Sequence, residues 1–400
     1  MKKIKILLVE NIHPVAKEKL EEENFYVESL DHSPDAAELA ELTKKFQVLG
    51  IRSKTSVTGQ ILNNPDLFCV GAFCIGTNQV DLEHANRAGI PVFNAPHSNT
   101  RSVAEMVIAE FVILARRLGD RNTLAHSGGW LKSADGAREI RGKTLGIVGY
   151  GHIGSQVSIL AEAMGFRVIF FDTVKKLPLG NAVLCADLRS LLEKSDFVTL
   201  HVPETPQTKN LISEKELNFM KKGAFLVNAS RGTVVAIDAL AKAVSSKQLG
   251  GAALDVFPME PSSNKDKFKS VLQGLPNVFL TPHIGGSTEE AQYAIGLEVA
   301  ESFRRFLKVG STSGAVNFPS VDLPIHCGTH RILNVHLNEP GVLGEINSVV
   351  SRFGVNIHAQ YLSTDAKIGY LVMDVERGEA ELLAGEIKKL PRSIKTRLVY

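Results

Sequence analysis

The chain has 400 residues, 22% of them charged and 44% hydrophobic, which is an ordinary globular mix with enough length for two or three domains. A formal net charge of +2 excludes a global field for nucleic acid or an anionic membrane, so any basic site must be local. No apolar run approaches the roughly 20 residues of a membrane span, and Cys69, Cys74, Cys185 and Cys327 lack metal or redox spacing, as expected of reduced thiols in a cytoplasmic protein without a metal site.

The chain opens MKKIKILLVE, lysines before a short apolar run that Glu10 closes. A signal peptide needs an apolar stretch of about 7–15 residues, so residues 4–9 read as a first parallel strand. A helix is expected at 14–23, strands at 48–51, 67–73 and 90–93, and a helix at 80–88. This alternation is an α/β unit in its own right. A long helix at 102–117 then leads away, with Ser102 and Glu105 in capping-box spacing.

Residues 144–172 carry the clearest signal. A buried-strand run at 145–148 precedes Gly149, Gly151 and Gly154 in G-x-G-x-x-G spacing. An apolar helical period follows through Met164, then a second strand at 167–171 that ends at Asp172. In that order the glycines give a tight turn, close backbone approach to a pyrophosphate and close helix–strand packing. The helix start at His152 and Ile153 offers amide donors to phosphates. Asp172 would accept bonds from ribose hydroxyls and repel a 2′-phosphate, which favours NAD; Lys175 and Lys176 are the counter-signal.

Ligands of an open parallel sheet bind beyond the carboxyl ends of its strands. The expected strand at 197–200 ends in His201, that at 224–228 in Ser230 and Arg231, that at 251–256 in Glu260, and that at 278–281 in His283. Histidine exchanges protons near neutral pH, a carboxylate beside it raises its basicity and holds the ring, and arginine offers a planar fork to a carboxylate. Taken singly, each has a structural reading: a surface ion pair for Arg231, a solvated turn for Glu260, a loop hydrogen bond for His283. Their placement on neighbouring strand ends favours reduction of a 2-oxo acid or the reverse.

A second long helix is expected at 288–309. Residues 310–323 are small, polar and proline-bearing, and read as a linker. The tail then reads βαββαβ, with strands at 331–337, 355–363, 368–376 and 393–400 and helices at 341–353 and 379–389.

The segments NASRGTVV, ALDVFPMEP and LTPHIGGST resemble the D-isomer-specific 2-hydroxyacid dehydrogenases. GIRSKT, FCIGTNQVDL, FNAPHSNTRSVAE and the tail segment NEPGVLGEIN extend the resemblance over essentially the whole chain, to the phosphoglycerate-oxidising type with a C-terminal ACT domain. It implies a Rossmann-type doubly wound NAD domain at 99–287 and a flavodoxin-like α/β substrate domain at 1–98 plus 288–316. A linker at 317–328 and a ferredoxin-like ACT domain at 329–400 would follow. The implied reaction is NAD-dependent oxidation of 3-phospho-D-glycerate to 3-phosphohydroxypyruvate, the entry to serine synthesis, with 2-oxoglutarate as a side substrate. The alternatives are a glyoxylate or hydroxypyruvate reductase, or an NAD-sensing corepressor.

By the same resemblance Arg231 binds the substrate carboxylate, His283 exchanges the proton and Glu260 pairs with it. Gly149, Gly151, His152, Ile153, Gly154, Asp172, Ala229, Ser230, Arg231, Asp255, His283, Ile284, Gly285 and Gly286 line the cofactor. Arg52, Ser53, Asn99 and Lys132 serve the anionic ends of the substrate, Lys132 having an equal reading as a solvated surface lysine. His336, Asn338 and Asn356 are expected to bind L-serine, although Glu339 stands where serine-inhibited members carry arginine. The tail's other reading is assembly alone. A homo-oligomer, a tetramer by resemblance, is implied, with neither nucleic acid nor membrane as partner.

Overall fold

The computed structural model describes residues 3–261 and 265–400, in two compact units. One is Asn99–Ala291; the other runs to Ser98 and resumes at Gln292 through Tyr400.

The second of these holds two sheets. Strands β1 (Lys5–Leu8), β2 (Tyr26–Ser29), β3 (Val48–Ile51), β4 (Cys69–Ala72) and β5 (Val92–Asn94) are all parallel in the order β2-β1-β3-β4-β5, the flavodoxin-like winding. The inner strands are buried on both faces, so β3 to β5 are buried throughout rather than alternating, while the edge strand β2 is half exposed. Ile6, Leu8, Val48 and Cys69 meet Ile295, Val299, Phe303 and Phe306 of helix Glu289–Val309 on one face. Leu7, Leu49, Ile51 and Val70 meet Leu39, Ile61 and Ala85 on the other. Tyr26–Ser29 and helix Ala36–Thr43 lie in a stretch whose sequence gave no element.

The tail forms an antiparallel sheet, order β14-β15-β13-β16, from β13 (Thr329–Leu337), β14 (Ile357–Thr364), β15 (Ile368–Glu376) and β16 (Ser393–Leu398). Helices Val342–Arg352 and Ala380–Lys388 cover one face. The other face closes on Phe318 and Val321. The composition that reads as a linker therefore belongs to a packed turn. Thr312 Oγ1 donates to the Pro319 carbonyl (2.7 Å) and accepts from the Val321 amide (2.9 Å). Arg331, fully buried, pairs with Asp374 (2.6 Å) and donates to the carbonyls of Val309, Leu323 and Pro324. β16 also seals the five-stranded part: Lys395 donates to the Leu67 carbonyl, and the Arg397 guanidinium lies between the rings of Phe68 and Phe306.

The Asn99–Ala291 unit is built on a seven-stranded parallel sheet. Its strands are β6 (Thr144–Val148), β7 (Arg167–Phe171), β8 (Val183–Leu184), β9 (Phe197–Leu200), β10 (Ala224–Asn228), β11 (Leu249–Leu254) and β12 (Val278–Leu280). The order β12-β11-β10-β9-β6-β7-β8 reverses direction between β6 and β9, the doubly wound switch point. The capping box expected at Ser102 is absent. The helix is Thr100–Arg116, with Asn99 at its cap; the Ser102 hydroxyl bonds Thr288 (2.8 Å), and Glu105 pairs with Arg101 one turn back. A tertiary partner took the hydroxyl that local pattern assigned to the helix end.

Candidate active site

The glycine turn sits at the switch point, after β6. Gly149 has φ +89°, and a Cβ there would lie 2.3 Å from the His201 carbonyl oxygen. A Cβ on Gly154 would lie 2.1 Å from the Gly149 oxygen, so helix His152–Ala163 is packed as close to the turn as a side-chain-free residue allows. Gly151 differs: its Cβ position is open space. That is a cradle with one open wall at a helix N-terminus, which suits a diphosphate. At the end of β7, Asp172 accepts the Tyr150 amide (2.8 Å) on Oδ2 and the Val174 amide (2.9 Å) on Oδ1. Each oxygen keeps a lone pair for a further donor. On the expectation that Asp172 takes the ribose hydroxyls, Asp172→Ala should narrow the preference for NADH over NADPH about tenfold, by loss of those contacts and of the repulsion of a 2′-phosphate; dissociation constants by fluorescence titration check it.

Three neighbouring strand ends supply the chemistry. β10 ends in Asn228, fully buried, whose Oδ1 accepts from the Ser230 amide and hydroxyl and whose Nδ2 donates to the Arg231 carbonyl (3.0 Å). This folds Ala229–Arg231 into a tight turn. Gly232 follows, and a Cβ there would strike the Phe257 carbonyl carbon at 2.0 Å, so the arginine turn lies directly on the segment after β11. Among the described residues, no carboxylate pairs with Arg231; its Nη1 bonds only the Ser230 carbonyl (2.7 Å).

Asp255, after β11, is buried and organises the loop after β12. Its Oδ1 accepts from the Thr281 hydroxyl (2.6 Å) and the Ile284 amide (2.8 Å), and its Oδ2 from the Gly285 amide (2.8 Å). Those bonds hold His283 at φ +55°, a left-handed backbone that costs a non-glycine residue about 1 kcal/mol. The turned histidine meets Glu260: Nδ1 lies 2.8 Å from Oε2, while Oε1 accepts the Phe257 amide (3.0 Å). A Cβ on Gly286 would lie 2.3 Å from Asn99 Nδ2, so Asn99 borders this loop.

The bond from Glu260 raises the His283 imidazole above its ordinary value. Partial burial and the Arg231 charge oppose this, and the charges of Glu260 and Asp255 reinforce it. For Glu260, burial alone would raise the carboxyl, but the bonds from His283 and the Phe257 amide, with the charges of His283 and Arg231, outweigh it and hold the group below its usual range. His201 also stands at a strand end, but burial pushes it down to about 3, so it stays neutral at working pH. Of these two histidines, His283 is the one able to exchange a proton near neutrality. On helix Thr100–Arg116, Glu110 is buried without a hydrogen-bond partner among the described residues. Burial, then the charge of Asp255, pushes its carboxyl up to about 8, so it is largely uncharged at neutral pH.

Arg231, Glu260, His283, Asp255 and Asn99 thus come together. Lys132 does not join them; it lines a hollow of about 820 Å³ with Arg116, Arg121, Trp130 and Arg138. Arg52 and Ser53 stand in the other unit, after β3, on a loop that also carries Lys54. In the tail, His336 is buried with its ring 2.9 Å from Asn334 Oδ1, and Asn338 donates to the Asp365 carbonyl (2.6 Å). The register sets His336 beside Gly369, whereas Asn356 is bonded by the Glu376 amide at the opposite end of β15. Within one chain these three do not converge. Asn228 and Thr281 were missed from sequence; a polar side chain closing a run of buried apolar residues was the available signal.

A family model described as D-isomer specific 2-hydroxyacid dehydrogenase, NAD binding domain, matches residues 108–285. One described as AHAS small subunit-like ACT domain matches residues 332–395. The chain is 54% identical over 399 residues to D-3-phosphoglycerate dehydrogenase of Dictyostelium discoideum, covering 100% of this chain and 98% of that protein. It is 52% identical over 402 residues to the protein of the same name from Escherichia coli K12, with the same coverage. Among solved structures, D-lactate dehydrogenase from Aquifex aeolicus complexed with NAD and lactic acid superposes with a TM-score of 0.68 at 27% identity, over 79% of this chain and 100% of that one.

Proposed function

The chain belongs to the D-isomer-specific 2-hydroxyacid dehydrogenases, and from that premise we propose that it oxidises 3-phospho-D-glycerate to 3-phosphohydroxypyruvate with NAD, the first step of L-serine biosynthesis, and catalyses the reverse. The observation that supports this reading most is the Glu260–His283 pair beside an Arg231 with no carboxylate partner among the described residues, in a chain alike over its length to named phosphoglycerate dehydrogenases.

NAD is the cofactor, and when bound it would supply the hydride-transfer chemistry for C2 of the hydroxy acid. The chain's residues do the rest. Gly149–Gly154 and the start of helix His152–Ala163 would hold the diphosphate, Asp172 the ribose hydroxyls, and Ala229–Arg231, Asp255 and His283–Gly286 the nicotinamide end. Arg231 orients the substrate carboxylate through two parallel N–H bonds. His283 Nε2 takes the hydroxyl proton during oxidation and gives it back during reduction, and Glu260 stabilises the imidazolium that forms in between. Arg52 and Ser53, with Asn99, serve the anionic far end of the substrate.

The ACT module suits an amino-acid effector, and L-serine is the one the reading selects. With His336 and Asn338 at one end of β15 and Asn356 at the other, a site using all three would need two modules from different chains, in keeping with a homo-oligomer, a tetramer by resemblance. No helix among the described residues is long and apolar enough to cross a membrane; a cytoplasmic location is part of the same reading. Steady-state NADH oxidation tests the substrate and the effector. Expected is a kcat/KM for 3-phosphohydroxypyruvate about a hundredfold above that for hydroxypyruvate, glyoxylate or 2-oxoglutarate, with inhibition by millimolar L-serine. Equal rates on all four would end the substrate assignment, and rates indifferent to serine would leave the tail a module of assembly.

A further inference from the structure

Glu10 ends β1 on left-handed backbone, φ +65°, followed by Asn11 at +51°. Its carboxylate is buried, yet no lysine or arginine side chain pairs with it among the described residues. It is spent on one loop instead. Oε1 accepts the amides of Arg52 (3.0 Å) and Thr55 (2.8 Å), and Oε2 accepts that of Lys54 (3.0 Å). The Glu10 carbonyl accepts from Arg52 Nη1 (3.4 Å). From the opposite side Gln79 Nε2 donates to the Arg52 carbonyl (2.7 Å), and the hydroxyls of Ser33 and Thr55 are 2.8 Å apart.

Three amides within four residues, all aimed at one point, make an anion nest. In this chain the nest is filled by the protein's own carboxylate. The loop's shape is therefore set from β1, and an incoming anion cannot use these amides. It must be held by what the loop shows outward: the half-buried Arg52 and the exposed Ser53 and Lys54.

We propose that Glu10 is a positioning residue that fixes the 52–55 loop as a side-chain anion site, and so sets the preference for substrates with a second anionic group. The proposal rests on the reading that Arg52 and Ser53 receive the phosphate end of the substrate. Glu10→Gln keeps the shape and the Oε1 acceptor but turns an NH₂ toward the Lys54 amide; Glu10→Ala removes all three bonds. In the full-length enzyme, KM for 3-phosphohydroxypyruvate should rise about tenfold in Glu10→Gln and further in Glu10→Ala. KM for unphosphorylated hydroxypyruvate, kcat, and the NADH dissociation constant read by fluorescence should stay within about twofold. Arg52→Ala is the reference. If it abolishes the preference for the phosphorylated substrate and Glu10→Gln does not, the Glu10 role falls and the substrate reading stands. If Arg52→Ala leaves the preference intact, the loop is not the anion site, and the Glu10 role and the placing of the phosphate at Arg52 and Ser53 fall together. A parallel rise of both KM values with a lowered melting temperature would make Glu10 a general structural residue and overturn the proposal.

Discussion

Arg231→Lys is expected to lower kcat/KM for the 2-oxo acid roughly 30- to 900-fold, about 2–4 kcal/mol, and to leave NADH affinity within about twofold. Lysine keeps the charge and loses the fork. The loss is large because, among the described residues, no carboxylate is within ion-pair distance of Arg231, and its Nη1 bonds only the Ser230 carbonyl, which leaves the rest of the fork open. The variant should stay folded: Asn228 holds the turn through the main chain and Ser230, not through the guanidinium. Stopped-flow NADH binding and steady-state rates on the same preparation check both halves. More than half of wild-type kcat/KM would remove Arg231 from the carboxylate-binding role.

Glu260→Gln should cost about tenfold to a hundredfold in kcat and, more tellingly, move the pH profiles. Reduction needs His283 protonated, so its rate falls as pH rises through the imidazole pKa. Glu260 raises that pKa; without it, burial and Arg231 are opposed only by Asp255, and the pKa drops. The alkaline limb of reduction then moves to lower pH. Oxidation needs neutral His283, so its acid limb moves to lower pH as well. Profiles of kcat/KM that do not shift would take Glu260 out of the proton relay.

Much of this was legible in the sequence because the constraints are steric or topological. Gly149 and Gly154 have no room for a Cβ, and a parallel sheet delivers Arg231, Glu260 and His283 to one edge whatever lies between them. What was not legible depends on partners far along the chain. Ser102 looked like a cap because Glu105 stands three residues on, yet its hydroxyl is taken by Thr288. Residues 310–323 looked slack because they are small and polar, yet Phe318 and Val321 are core and Arg331 collects the carbonyls around them. Glu10 gave no local sign at all; its partners are more than forty residues away.

The seat of Arg397 has a consequence for the making of the molecule. A chain leaves the ribosome from its N-terminus, and domains fold as units once their parts are out. Asn99–Ala291 is uninterrupted, so nothing it needs is delayed. The other unit must wait. Phe68 is synthesised well before Phe306, and the Arg397 guanidinium that packs on both rings comes later still. The apolar face of β1, β3 and β4 thus stays open through most of translation, until helix Glu289–Val309 emerges to cover it and β16 closes over its edge. The split unit is begun before the Asn99–Ala291 unit and completed after it, and a nascent chain stalled anywhere between residues 98 and 292 would present that uncovered sheet to chaperones.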